Sequence, residues 1–214
     1  MNAGPVFAAC ILAASLPGAA VAQTPAELHA LFAANDVFAL RDAVAGMPSP
    51  PLFYRGAVEA MENRVSPAQR DLHSVVQAAP HSDDAYQAHD LLGNLYFRNG
   101  MYREAMRELN AAHAERLDAA DVNNALPLFR RLSVTPDMRV VRRSSSKFLR
   151  VGEDHGGLPV LINGKPVTYG FDTGATLSFM GEADAKALGL VVKRVESKLS
   201  ESSGSDVAGF TLRW

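Results

Sequence analysis

From Thr24 to Leu132 the apolar residues recur mostly at three- or four-residue intervals, the period of helices that bury one face. Thr24-Pro25-Ala26-Glu27 opens the first run with a threonine N-cap, proline at the first helical position and a glutamate three residues after the cap. Leu28, Leu31 and Phe32, followed by Val37, Leu40 and Val44, predict a pair of helices interrupted near Asn35-Asp36. Met47-Pro48-Ser49-Pro50-Pro51 stops that pattern. A helix is expected over Leu52–Glu62. Ser66-Pro67-Ala68-Gln69 repeats the capping-box arrangement and predicts another helix, ending near Pro80. Ala85–Arg98 and Tyr102–Arg116 form the clearest pair. Ala119–Leu132 reads as a closing helix that Pro127 should break or bend.

The period then changes. Ser133–Gly157 is basic and serine-rich, with Arg139-Val140-Val141-Arg142-Arg143 at its centre, and reads as a linker whose Lys147–Val151 begins a first strand. Leu158–Leu190 follows, with Asn163-Gly164 between two alternating apolar runs, the pattern of a hairpin turn with positive φ at both central positions. Val167-Thr168-Tyr169-Gly170-Phe171 has strand composition and leads into Asp172-Thr173-Gly174-Ala175. Glu182–Leu188 has helical composition, and Gly189 is placed as its C-terminal cap. Val191–Val195 should be a strand, Ser197–Gly204 is polar and turn-rich, and Val207–Trp214 returns to apolar alternation.

Composition narrows the function classes. The 214 residues carry a net charge of −2, which leaves no overall electrostatic footprint for nucleic acid. Val6–Leu16 is an apolar run too short to span a bilayer, and Ala20-Val21-Ala22 is a small-x-small cleavage site before Gln23. Residues 1–22 therefore read as an export signal, with a periplasmic or secreted destination. A buried first helix is the alternative. The one cysteine, Cys10, lies inside that signal, so the mature chain is expected to have no disulfide or thiolate site. No later segment is apolar enough to span a membrane. His81 and His89 stand near Asp83, Asp84 and Asp90 without ligand spacing and read as surface histidines; His29, His73, His113 and His155 read as isolated. Neither metal nor cofactor is expected. There is no Gly-x-Ser-x-Gly elbow and no glycine-rich phosphate loop.

Leu92, Gly93, Tyr96, Gly100, Ala105, Leu109 and Ala112 resemble the tetratricopeptide repeat, whose paired helices need small residues where they cross. Gly93 and Ala105 would be the close-approach positions and Gly100 the turn. Gly56, Ala68, Leu72 and Pro80 echo the pattern at the same Gly-to-Ala separation. The resemblance implies a surface for a peptide or protein partner, or for a second copy; a helical cap that only packs on its neighbour is the plainer reading.

The strand, the Asn-Gly hairpin, Asp172-Thr173-Gly174-Ala175 and the closing Ala187-Leu188-Gly189-Leu190 resemble the retropepsin-like aspartyl proteases, in particular bacterial members with one catalytic motif per chain. The resemblance implies peptide hydrolysis by two carboxylates that share one proton and one water. Asp172 would be one of them, Thr173 would lock the paired loops, and Gly174 would permit the tight backbone, with Ala175 completing the loop. No second Asp-Thr/Ser-Gly occurs in the chain, so the partner carboxylate is expected from a second copy across a two-fold axis. Ser200–Asp206 would be the tip of the flap hairpin. Family members continue past this point to further strands, so the unit is expected to be incomplete, as a fragment or a degenerate copy.

The fold class expected is α+β: an N-terminal antiparallel helical-hairpin (tetratricopeptide-like) region, then an incomplete all-β acid-protease (retropepsin-like) unit. The domains are residues 1–22, signal; 23–132, helical region; 133–157, linker; and 158–214, protease domain. The function expected is an aspartic endopeptidase acting on peptide or protein substrates as a homodimer. Its rival is a non-enzymatic exported repeat protein that binds a peptide or protein through the helices and carries a vestigial protease-like tail.

Overall fold

A computed structural model describes residues 24–141, 143, 145, 149–151, 155–170, 178, 180–200 and 206–213. The chain divides into two compact units, Met1–Pro50 and Pro51–Trp214. In the first, α1 (Pro25–Ala33) and α2 (Val37–Ala45) pack as a pair. The Thr24 hydroxyl accepts the Glu27 amide at 3.3 Å while the Thr24 amide donates to Glu27 Oε2 at 2.7 Å, so each satisfies a donor the helix leaves free. Asn35, at φ 53°, turns the chain, and Asp36 caps α2 by accepting the Ala39 amide at 3.0 Å. Leu28 and Leu40 are fully buried.

The second unit begins with α3 (Leu52–Met61), α4 (Val65–Ala78), α5 (Asp83–Arg98), α6 (Tyr102–Glu115) and α7 (Ala120–Leu132). Each packs on the next. The crossings are close because glycine stands at them. A Cβ on Gly56 would lie 2.7 Å from Leu72 Cγ, and one on Gly93 would lie 3.0 Å from Leu109 Cγ. Both leucines stand the same sixteen residues after their glycine, and Ala68 and Ala105 beside them are fully buried.

The helices depart from expectation at two prolines. Helix α4 starts at Val65 with Arg64 as an N-cap that offers no side-chain hydrogen bond, so Ser66 is not the cap. Asn63, at φ 61°, makes the turn and lets the helix begin early. Pro67 then falls in the first turn, where its missing N–H has no intrahelical partner to lose. Of the break or bend expected at Pro127, a break does not occur: α7 runs through it. Val122, Leu126 and Phe129 are buried on either side, and Phe129 meets the Phe97 ring at 4.5 Å. Packing of that stripe outweighs one absent hydrogen bond.

Polar contacts also tie the pairs together. Arg98 Nη2 donates to the Ala60 carbonyl at 2.7 Å, and Asn99 Nδ2 donates to Asn63 Oδ1 at 2.7 Å. His73 is not isolated and His89 is not a surface histidine. They flank the buried Glu108, His73 Nε2 at 3.3 Å and His89 Nδ1 at 2.7 Å, so α4, α5 and α6 meet through one carboxylate. Burial pushes the Glu108 carboxyl up, but the hydrogen bonds from His89 and His73 outweigh it and hold the group below its ordinary value. Asp71 is likewise buried, which pushes it up, and likewise held low by hydrogen bonds from Arg55 at 2.5 Å and Arg70 at 3.0 Å.

After α7 the chain is still fastened to the helices. Asp137 Oδ1 accepts the Tyr102 amide at 2.9 Å, capping α6 from thirty-five residues away, and the Met138 amide donates to the Gly100 carbonyl at 2.9 Å. Gly100 has φ +68°, and Met138 fills the space where its Cβ would stand. Three strands then form an antiparallel sheet in the order β1 (Leu149–Val151), β2 (His155–Ile162), β3 (Lys165–Gly170). A short α8 (Glu182–Ala187) precedes a second antiparallel pair, β4 (Val191–Ser200) and β5 (Asp206–Arg213). β4 continues to Ser200, through residues that read as turn-rich, with a shift of register between Arg194 and Lys198. Helix α7 lies against β4 and β5. The class is α+β.

Two outcomes follow from this packing. Gly56→Val forces a branched side chain onto a fully buried leucine and should lower stability by about 1–3 kcal/mol in chemical denaturation, whereas Gly46→Ala, at an ordinary φ of −75°, should stay within about 0.5 kcal/mol. Asp71 and Glu108 have folded pKa values below their unfolded ones, so their contribution is present above the unfolded values and lost as pH falls through the folded ones. Denaturation midpoints should therefore drop below about pH 4, and Asp71→Asn with Glu108→Gln should flatten that drop.

Candidate active site

The hairpin β2–β3 carries the chain to the acidic motif. Its register pairs Ile162 with Lys165 and ends with Gly157 opposite Gly170, one residue before Phe171. Asn163 at φ 50° and Gly164 at φ 76° supply the positive dihedrals that a two-residue hairpin turn needs to follow the strand twist. Leu158 opposite Tyr169 and Val160 opposite Val167 make one half-buried face. Leu161, on the other face, is 74% exposed. The alternation expected of a half-covered sheet is present.

Two hydrogen bonds fix α8 to this turn. Asn163 Nδ2 donates to the Leu188 carbonyl at 3.0 Å, and Lys165 Nζ donates to the Ala187 carbonyl at 2.5 Å. Both acceptors are at the C-terminal end of α8, where carbonyls lack helical partners and a cation is favoured. Gly189, at φ +78°, ends the helix as expected, and Ala185 and Leu190 are buried. Tyr169 titrates above its ordinary value, first through burial and then through the Asp184 carboxylate, which sets α8 beside the end of β3.

These contacts set the direction of the described elements on either side of the acidic motif. β3 leaves the turn at Lys165 and runs away from it to Gly170, while α8 starts at Glu182 and comes back to it. The connection between them runs from Gly170 to Gly181. Asp172, Thr173, Gly174 and Ala175 all lie in that connection and outside the described residues. The strand before them and the helix after them are in place. The tip between Ser200 and Asp206 also lies outside the described residues, although those two residues pair as the last rung of β4–β5.

Residues 158–213 match a family model described as aspartyl protease. The match spans β3, the motif, α8 and the β4–β5 hairpin, and it supports an aspartyl protease-like domain over this stretch. At that coarse level the match supports a peptidase-type hydrolase unit, a class that implies a peptide substrate. No curated protein and no solved structure matches the chain. No group of three or more potential metal ligands occurs among the described residues, and no helix there is long and apolar enough to cross a membrane.

Asn163 was legible as a turn residue, but neither it nor Lys165 was legible as a fastener of α8, because the bonds join residues twenty-five and twenty-two apart. Gly164 has no atom within 4 Å of a built Cβ, so Gly164→Ala tests the dihedral alone. It should weaken the hairpin by about 1–2 kcal/mol, read as faster hydrogen exchange at the Val160 and Val167 amides. Unchanged exchange would remove the turn from the account.

Proposed function

We propose that this chain is one subunit of a homodimeric aspartic endopeptidase of the retropepsin-like kind. The observation that carries the reading is the aspartyl protease match over 158–213, centred on a hairpin and helix that bracket Asp172. In this reading Asp172 from each of two copies meets on a two-fold axis, an isologous contact that builds one site from one sequence. One carboxylate, ionised, takes a proton from water; the other, protonated, donates to the scissile carbonyl oxygen. Like charges about 3 Å apart do not both ionise readily, so the pair titrates in two separated steps. Thr173 braces the two loops, Gly174 and Ala175 allow their close approach, and the β4–β5 hairpin serves as the flap over the bound peptide.

The helices take a supporting part in the same proposal. The recurring glycine–leucine contact in α3–α4 and α5–α6, at one spacing, favours tetratricopeptide-like pairs that offer a surface to a protein partner. Export follows from the signal-like residues 1–22, so the protein is proposed to act in the periplasm or outside the cell.

Asp172→Asn should abolish peptide cleavage while circular dichroism and the dimer mass in analytical ultracentrifugation stay unchanged. Cleavage that survives the substitution, or an active species that sediments as a monomer, contradicts the proposal. A cellular phenotype unaffected by Asp172→Asn but lost with Gly93→Val would move the function to the helices.

A further inference from the structure

Between the last turn of α7 and Arg143 the chain gathers positive charge that no carboxylate among the described residues answers. Arg55, Arg64, Arg70, Arg107 and Arg116 each meet a carboxylate. Arg130, Arg131, Arg139 and Arg143 form no ion pair among the described residues. The one acid between Arg130 and Arg143 is Asp137, and it is already engaged as the cap of Tyr102. Apolar side chains are left open in the same segment: Val134 is 73% exposed, Met138 62%, Val140 73% and Val141 83%. Neighbours in an extended chain point to opposite faces, so exposure of both Val140 and Val141 means that neither face is committed to the fold. The segment is nevertheless not loose at its root. Asp137 and the Met138 amide fasten it to the turn between α5 and α6, which holds the arginines at the surface of the unit.

We propose that this segment docks the protein on an anionic lipid surface, its arginines against headgroup phosphates and its valines at the acyl boundary. Both halves of the chemistry are needed. Unpaired cations alone would suit any polyanion, but a nucleic acid offers little to four exposed aliphatic side chains, and no aromatic residue for base stacking occurs between Arg130 and Arg143. An acidic protein would answer the charges and leave the valines in water. A phospholipid interface answers both, which is the usual arrangement of interfacial anchors. The net charge of −2 makes this a local attraction and not a property of the whole chain.

Vesicle sedimentation of the full chain tests it. The protein should partition onto phosphatidylglycerol-containing vesicles in preference to pure phosphatidylcholine, and molar salt should release it. Arg139→Gln with Arg143→Gln should reduce that partition about fivefold per arginine, and Val140→Ser with Val141→Ser should reduce it further. All four residues are exposed, so circular dichroism should be unchanged in each variant. Equal binding to both vesicles, insensitivity to the substitutions (which would assign binding to the apolar N-terminal run), absence of binding, or a preference for soluble polyglutamate would each overturn the proposal. The last result would point to an acidic protein partner instead.

Discussion

The hold of the Asn163-Gly164 turn on the end of α8 is the constraint that orients the described strand and helix flanking the acidic motif. A hairpin of six paired positions is marginal alone, and a six-residue helix is more so. Joined through Asn163 to Leu188 and Lys165 to Ala187, each limits the other. β3 then runs away from the turn and α8 runs back toward it. The acidic motif occupies the stretch between. The proposed meeting of two such carboxylates needs a fixed departure point, because small errors of position are costly in catalysis.

The helices are organised by a different constraint, the absence of side chains at Gly56 and Gly93. Close backbone approach there brings α4, α5 and α6 near enough for His73 and His89 to share Glu108, and for Arg98 to reach the end of α3. Buried carboxylates are tolerated only when hydrogen bonds repay their lost hydration. Here the glycines make that possible. Helix α7 extends the stack, rests on α6, meets α5 through Phe129 against Phe97, and lies against β4 and β5. The helical region and the protease-like strands therefore meet within one unit.

What was legible in the sequence was local. The Thr24–Glu27 box, the positive dihedrals at Asn163-Gly164 and the Gly189 cap involve residues within four of each other, and each is where the pattern puts it. Ser66-Pro67-Ala68-Gln69 misled because a positive φ at Asn63 had already started the helix, a choice of turn that the capping pattern does not record. The break offered as one outcome at Pro127 is absent because packing prevailed over propensity. The bonds His73–Glu108 and Asp137–Tyr102 each join residues thirty-five apart, and no periodicity announces them. The candidate site divides the same way. Its motif and its flanking strand and helix are local and readable, whereas the meeting of two carboxylates is a property of two chains.

Mixed dimers address that meeting most directly. Wild-type chain and Asp172→Asn chain would be combined in varying ratio, allowed to exchange subunits, and assayed for peptide cleavage at constant total protein. A site that draws one carboxylate from each chain predicts activity that falls as the square of the wild-type fraction. Activity that falls in simple proportion would mean that each chain works alone, and would contradict a shared site.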